Sequence, residues 1–375
     1  MKIGILKESA GENRVAMLPD SVKALVDLKV SVLVEKGAGT AASSPDPLYE
    51  EAGAKIASRA DVISNADLIA MVNGPEAAEV KKLGKGKVVV AGVNPLTNHD
   101  LVKTYADAEV TLFSLDVIPR TTRAQAMDIL SSQATVAGYK SVLDAASRLS
   151  GFLPMFMSAA GTIKPSKVLV LGAGVAGLQA IATARKLGAV VYAFDVRSAV
   201  KEEVQSLGAK FIEVEGAKDD AAAGGYAVEQ TEEFKERQKQ MVHEFCTKSD
   251  IVICTAQIPG RTAPLLVTKE SVKEMAPGSV VIDLAASTGG NCELTKNDEV
   301  VVEHGVIIVG ESNYPSDMPR DASQMFGKNV LNFLKLLIDE EGGMNLNMED
   351  ELVSGTLVTM DKEIRHERVK EFMNL

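Results

Sequence analysis

Residues 167–195 read KVLVLGAGVAGLQAIATARKLGAVVYAFD, and their order decides the fold. Residues 167–171 are a β-branched and leucine run suited to a buried strand, and residues 175–187 supply a helical pattern directly after it. Between them lies the turn Gly172-Ala173-Gly174-Val175-Ala176-Gly177. In such a turn the first glycine permits a tight reversal and the second lets a pyrophosphate approach the backbone. The third lets helix and strand pack closely, and the helix start offers open N–H groups and a positive dipole end. A second strand ends on Asp195, 18 residues past Gly177. An acid there accepts hydrogen bonds from an adenine ribose and repels a 2′-phosphate, so the spacing predicts NAD(H). Val196 and Arg197 follow it; Arg197 is the counter-signal, because a nearby arginine can accommodate that phosphate.

The same alternation runs outward in both directions. Strand-like runs at 2–6, 30–34, 68–72, 88–92 and 110–113 alternate with helical patterns at 21–28, 48–52, 77–83 and 100–105. A second series begins at 167 and continues through 190–195, 210–212, 251–255, 279–284 and 306–309. This rhythm predicts an α/β fold class with two Rossmann-like, doubly wound parallel-sheet domains. Residues 124–149 read as one long helix interrupted only by Gly138, and 319–337 as a helical return, so long helices join the domains. The closing segment has a strand-like core at 355–360. The expected domains are therefore 1–130 completed by 320–375, and a nucleotide-binding domain at 131–319.

Composition agrees. A chain of 375 residues is long enough for two cores. With aromatics at 4 % and no tryptophan, those cores must be built from Val, Ile, Leu, Ala and Met, as buried parallel sheets usually are. The net charge of −11 argues against nucleic-acid binding, while local backbone amides can still hold a dinucleotide's phosphates. Cys246, Cys254 and Cys292 cannot all pair and lack metal-ligand spacing; they read as intracellular packing thiols, and no metal is expected. The N-terminus has no signal-peptide pattern. The weakly polar run 168–184 carries three glycines and Gln179, which suit a strand-turn-helix unit better than a membrane span.

Two polar groups remain. Thr255-Ala256-Gln257 and residues 284–287 follow predicted strands, where a nicotinamide ring would lie, although Thr255 and Gln257 read equally well as satisfied loop groups. The stretch 119–132, PRTTRAQAMDILSS, carries Arg120, Arg123, Gln125, Asp128, Ser131 and Ser132. Gln125, Asp128 and Ser132 fall at i, i+3 and i+7 and so share one face of the predicted helix, with Arg120 just ahead of it. The plainer reading is an N-terminal turn with capping polar residues. The histidines, His99, His243, His304 and His366, all lie away from the strand ends that would face a nucleotide. Oxidising an alcohol or amine requires a proton acceptor, whereas passing hydride between two nicotinamides requires none. The residues thus lean toward transfer between cofactors, with a Lys or Asp base still open.

The chain resembles the NAD(H)-binding component of the proton-translocating nicotinamide nucleotide transhydrogenases. The likeness covers nearly the whole chain, from KIGILKE and ENRVAMLP onward, and is densest in PRTTRAQAMDILSSQATVAGY, the glycine-turn segment, GGYA, TAQIPGRTAPLLVT and GSVVIDLAASTGGNCELT. It implies that Arg120, Gln125, Asp128 and Ser131 contact the nicotinamide end of NAD(H), with the glutamine reaching toward NADP(H) on a partner. It also implies that Gly225 and Tyr226 of GGYA belong to a loop that closes over the nucleotide. A homodimer on the cytoplasmic face of the membrane is implied, docked to membrane-spanning and NADP(H)-binding subunits. The chain itself carries no apolar span and resembles the separate soluble subunit type. Alanine dehydrogenases are similar too and share Arg14, which in them holds a substrate carboxylate. Their substrate lysine, catalytic histidine and catalytic aspartate fall here on Asn73, Gly92 and Ser287, so amino-acid oxidation is the alternative rather than the first expectation. A non-catalytic NAD(H)-sensing module is a third.

Overall fold

The chain enters its first sheet at once, since KIGI places Ile3 and Ile5 on one face with no exposed surface left. The computed structural model describes residues 1–214 and 231–375. Gly225 and Tyr226, with most of the expected closing loop, lie outside the described residues. The described chain divides into two compact units, residues 1–133 with 315–375, and residues 134–314.

Unit 1 opens with β1 (Lys2–Ile5), α1 (Pro19–Asp27), β2 (Ser31–Glu35), α2 (Asp46–Glu51), β3 (Lys55–Ala57), α3 (Arg59–Asn65) and β4 (Leu68–Ala70). It continues through α4 (Ala77–Leu83), β5 (Val88–Ala91), α5 (His99–Asp107) and β6 (Thr111–Ser114) to α6 (Ile129–Arg148), within which the unit boundary falls. Unit 2 holds a hairpin, β7 (Phe156–Ser158) and β8 (Gly161–Ile163), then β9 (Lys167–Leu171), α7 (Val175–Lys186), β10 (Val190–Phe194), α8 (Lys201–Ser206) and β11 (Lys210–Ile212). Beyond the undescribed segment come α9 (Glu232–Thr247), β12 (Ile251–Cys254), α10 (Lys269–Glu274), β13 (Val280–Asp283), β14 (Val300–Glu303) and β15 (Val306–Val309). The return to unit 1 adds α11 (Pro319–Leu334), α12 (Glu351–Ser354), β16 (Leu357–Met360), β17 (Glu363–Ile364) and α13 (Glu367–Met373).

Both sheets wind outward from a central strand. In unit 1 the order is β17-β16-β6-β5-β4-β1-β2-β3, and the strands from β1 to β6 pair in parallel. In unit 2 the order is β11-β10-β9-β12-β13-β15-β14, parallel except for the edge strand β14. Each order reverses beside its first strand, between β1 and β4 and between β9 and β12. Such a reversal opens a crevice at the carboxyl ends of the strands. Alternate residues feed opposite faces. Val168 and Val170 pack under α7 with Ala180, Ile181 and Ala184, while Leu169 and Leu171 pack under α9 and α10 with Val242 and Val272. Cys246, Cys254 and Cys292 are buried free thiols in the second of these cores. Burial pushes the Cys292 thiol up to about 11, so it packs as a small apolar group rather than reacting as a thiolate.

The expected helix over 124–149 is corrected at its start. Arg123–Met127 form a 3₁₀ turn, Asp128 is extended at φ −76° and ψ 96°, and α6 begins at Ile129. The reason lies in Asp128 itself. Its carboxylate accepts from the Ser131 backbone N–H at 3.0 Å and from Ser131 Oγ at 2.5 Å, so it caps the helix instead of riding within it. Gln125, Asp128 and Ser132 therefore do not share a helix face. Strands β3, β7, β8, β14 and β17 and helix α3 had no clear sequence signal.

Candidate functional site

The nucleotide cradle of unit 2 is assembled where β9 and β12 part. Gly172 has φ +99°, a left-handed value that favours glycine, and a Cβ there would lie 2.6 Å from Thr255 Oγ1. A Cβ on Gly177 would lie 1.9 Å from the Gly172 carbonyl oxygen, so only glycine lets α7 sit this close to β9. Gly174 is different. A Cβ on it would meet nothing within 4 Å, which leaves open space directly before the helix. No side chain caps α7, and its first turn carries no acid. The amides of Val175, Ala176 and Gly177 have no intrahelical acceptor by helix geometry. Open space beside uncapped amides at a helix N-terminus suits a pyrophosphate.

Asp195 stands at the end of β10, almost buried. Its carboxylate accepts from the Ala173 backbone N–H at 2.7 Å, tying it to the glycine turn, and from the Arg197 backbone N–H at 2.9 Å. Arg197 also donates through its side chain, Nε to Oδ1 at 2.9 Å and Nη2 to Oδ2 at 2.7 Å. A carboxylate offers about four acceptor positions. All are taken, so a ribose hydroxyl reaches Asp195 only by displacing Arg197. Val196 sits between these two residues on the same turn.

Thr255 and Gln257 are committed to the scaffold. Thr255 Oγ1 donates to the Leu171 and Gly172 carbonyls at 3.3 and 3.0 Å, and Gln257 Nε2 donates to Leu284 O at 2.8 Å. Sequence reasoning passed over the residue that fixes this segment. Asn291, fully buried, accepts from the Ala256 N–H at 3.0 Å and donates back to the Ala256 carbonyl at 2.9 Å, as a neighbouring strand would. Asp283 holds Asn291 in turn, accepting from the backbone N–H groups of Ala285, Asn291 and Cys292 and from Thr295 Oγ1. Burial pushes the Asp283 carboxyl up, against the pull of these four bonds. The one hint in the sequence was a lone asparagine after two glycines in TGGNCE.

The polar stretch lies in unit 1. Gln125 is exposed on its 3₁₀ turn, Arg120 is exposed ahead of it, and Asp128 and Ser131 are joined in the helix cap. Arg123 is drawn away to an ion pair with Asp350, the residue that caps α12. At the crevice of unit 1, Arg14 is buried and paired. Its Nε and Nη2 donate to the two oxygens of Glu12 at 2.8 and 2.6 Å, and Nη1 donates to Gln133 at 2.9 Å. Asn73 Nδ2 reaches the same Glu12 carboxylate at 3.2 Å. The histidines serve structure: His99 contacts Leu96 O, His243 meets Ser271, His366 caps α13, and His304 occupies a turn at φ +54°.

Family models for the N-terminal and C-terminal domains described as alanine dehydrogenase/PNT match residues 4–137 and 141–367. The chain belongs to the alanine dehydrogenase/PNT family. It is 49 % identical over 376 residues to the first of the separate chains that make up NAD(P) transhydrogenase subunit alpha in Rhodospirillum rubrum, covering 98 % of each. It is 43 % identical to NAD(P) transhydrogenase subunit alpha of Haemophilus influenzae, over 97 % of this chain and 71 % of that one. A solved transhydrogenase from Sinorhizobium meliloti aligns with a TM-score of 0.86 at 43 % identity, covering 98 % of this chain and 99 % of that one. An L-alanine dehydrogenase structure aligns at 0.83 with 24 % identity, covering 100 % and 99 %, and shares the fold. The family's domains are of oxidoreductase type, and the two sheets are the parallel, Rossmann-like ones of these relatives. No described helix is long and apolar enough to cross a membrane.

Proposed function

We propose that this chain is the NAD(H)-binding subunit of a proton-translocating NAD(P) transhydrogenase, exchanging hydride with NADP(H) held on a partner subunit. The cradle around Gly172, Gly174 and Gly177 carries this reading. Its open space and uncapped amides fit a dinucleotide pyrophosphate, and Asp195 fits the ribose beyond it. The relatives named as transhydrogenase subunits supply the reaction. A bound nicotinamide would supply the hydride; this chain would bind, orient and exclude water. The amides of Val175, Ala176 and Gly177 would take the phosphates. Asp195 would take the ribose as Arg197 turns outward, while Thr255, Ala256 and Gln257 form a rigid wall held by Asn291. Gln125, with Arg120, Asp128 and Ser131, would orient the nicotinamide end, and Gly225 and Tyr226 would close over the nucleotide. No histidine stands in the cradle among the described residues, as suits a transfer that moves no proton.

The alternative, oxidation of an amino acid, meets an obstacle in Arg14. The guanidinium that would hold a substrate carboxylate is already gripped on two sides by Glu12. As a transhydrogenase subunit the chain would work as a homodimer at the cytoplasmic face of the membrane, docked to membrane-spanning and NADP(H)-binding subunits. The exposed apolar hairpin of unit 2 supports the pairing of two copies.

The deciding experiment mixes the purified chain with an NADP(H)-binding partner domain and follows hydride transfer from NADH to an NADP⁺ analogue. A parallel assay offers the chain alanine or pyruvate alone. Transfer only in the presence of the partner is expected; turnover on alanine would overthrow the reading.

A further inference from the structure

Asn329 and Asn332 lie on one face of α11, three residues apart, and both side chains donate to the same acceptor. That acceptor is the carbonyl of Ala126, at 2.9 Å from Asn329 Nδ2 and 3.0 Å from Asn332 Nδ2. Ala126 follows Gln125 directly in the 3₁₀ turn Arg123–Met127. One donor is enough to satisfy a carbonyl in such a turn, so the second adds restraint rather than solvation.

Asn329 carries a second oddity. It is 8 % exposed, and its Oδ1 is the one buried side-chain polar atom without a partner among the described residues. Its orientation is fixed, because only the amide nitrogen can donate to a carbonyl. Leaving a buried acceptor unmet is costly, and a leucine of similar size would avoid it. Stability alone therefore does not account for asparagine here. The rest of the turn is pinned as well: Arg123 by Asp350, Ala124 and Met127 by burial, and the next residue, Asp128, by Ser131. Among the described residues the Gln125 side-chain amide has no partner and stays exposed. The backbone is held on every side while one polar side chain is left free.

We infer that Asn329 and Asn332 are positioning residues, a two-asparagine clamp that fixes the peptide after Gln125 so that its side chain is presented in a set direction. The inference rests on the role given to Gln125 above. A misplacement of about 1 Å at a group that orients reactants can cost on the order of a hundredfold in rate.

The test compares Asn329→Leu, Asn332→Ala, Gln125→Ala and Gln125→Ala with Asn329→Leu, in the full chain mixed with the NADP(H)-binding partner. Asn329→Leu removes the orphaned oxygen while Asn332 still serves the carbonyl. Its thermal midpoint should hold or rise, while hydride transfer slows roughly tenfold and NADH affinity moves less than about twofold. Backbone amides of residues 123–127 should exchange hydrogen faster. Adding Asn329→Leu to Gln125→Ala should slow transfer no further. Should Asn329→Leu fold poorly, Asn332→Ala, at a partly exposed site, must show the same faster exchange and slower transfer. Independent, multiplying effects of the Gln125 and Asn329 changes would overturn the clamp, as would unchanged transfer and exchange in both asparagine variants while Gln125→Ala is slow. If Gln125→Ala itself leaves transfer intact, the role of Gln125 fails and the clamp falls with it.

Discussion

Glu8 accepts the backbone N–H groups of Val72 at 2.7 Å and Asn73 at 3.2 Å, and so holds the loop that leaves β4. Burial pushes its carboxyl up to about 7, helped by the nearby Glu12 and opposed by the two amides and Arg14. In the unfolded chain the same group titrates near 4.5. Below that pH both states hold the proton and the contribution is whole. As the pH rises toward 7 the unfolded chain releases its proton first, so stability falls across this window and levels above it. The loss amounts to roughly 3 kcal/mol. Urea midpoints measured from pH 4.5 to 8 should decline in the parent chain and flatten in Glu8→Gln. An equally steep decline in the variant would assign the titration to another group. At this scale the sequence was legible where spacing alone dictates chemistry, as at Gly172, Gly177 and Asp195. It was not legible where a residue's partner lies far along the chain. Nothing near Asn291 in sequence announces that it holds Ala256, and nothing near Asn329 announces Ala126.

Among the elements, α6 and α7 cross at a glycine. A Cβ on Gly138 would lie 2.1 Å from the Ala176 carbonyl, in the first turn of α7. Gly138 thus breaks the helical pattern of the sequence for a packing reason, and α6 continues through it unbroken. Gly138→Ala should cost about 1–3 kcal/mol or more in overpacking, and by shifting the first turn of α7 it should also weaken NADH binding. Gly174→Ala makes the informative contrast. With open space around it and φ −76°, it should leave the thermal midpoint within a degree or two (about 0.5 kcal/mol) and still weaken NADH binding. Equal losses of stability in the two variants would refute this division of labour. The long strands were legible because each is a run of apolar residues buried on both faces. The three-residue strands β3, β7 and β8 give no such run, and β14 is mostly exposed. The start of α6 was misplaced because Asp128 fits a helix face by spacing as well as it fits a cap.

The α/β class and the parallel sheets follow from that same alternation, repeated twice along the whole chain. One feature of the whole molecule had no periodic signature. Every residue of the β7–β8 hairpin is exposed, and Phe152, Met155, Phe156, Met157 and Ile163 form an apolar surface on it, with Phe152 and Phe156 stacked at 4.5 Å. An isolated two-stranded hairpin is marginal in water, and large exposed apolar patches mark contact sites. If two copies pair through this arm, Met157→Glu with Phe156→Ser should shift the purified chain from dimer to monomer in light scattering, with NADH binding in unit 2 retained. A dimer that survives both substitutions would place the contact elsewhere.

The order of synthesis gives the discontinuous first unit a further meaning. Unit 2 is one unbroken stretch, residues 134–314, and a ribosome completes it before delivering the pieces that finish unit 1. Strand β16, which pairs with β6 through Leu357 and Thr359, is translated more than two hundred residues after its neighbour. At ordinary translation speed the wait is on the order of tens of seconds. Throughout it β6, with Leu112 and Phe113, is the bare margin of a nascent sheet, the kind of margin to which other chains adhere. A fold that looks symmetric when finished is thus lopsided in time: its nucleotide-binding half can mature early, while the other half waits for its last strands.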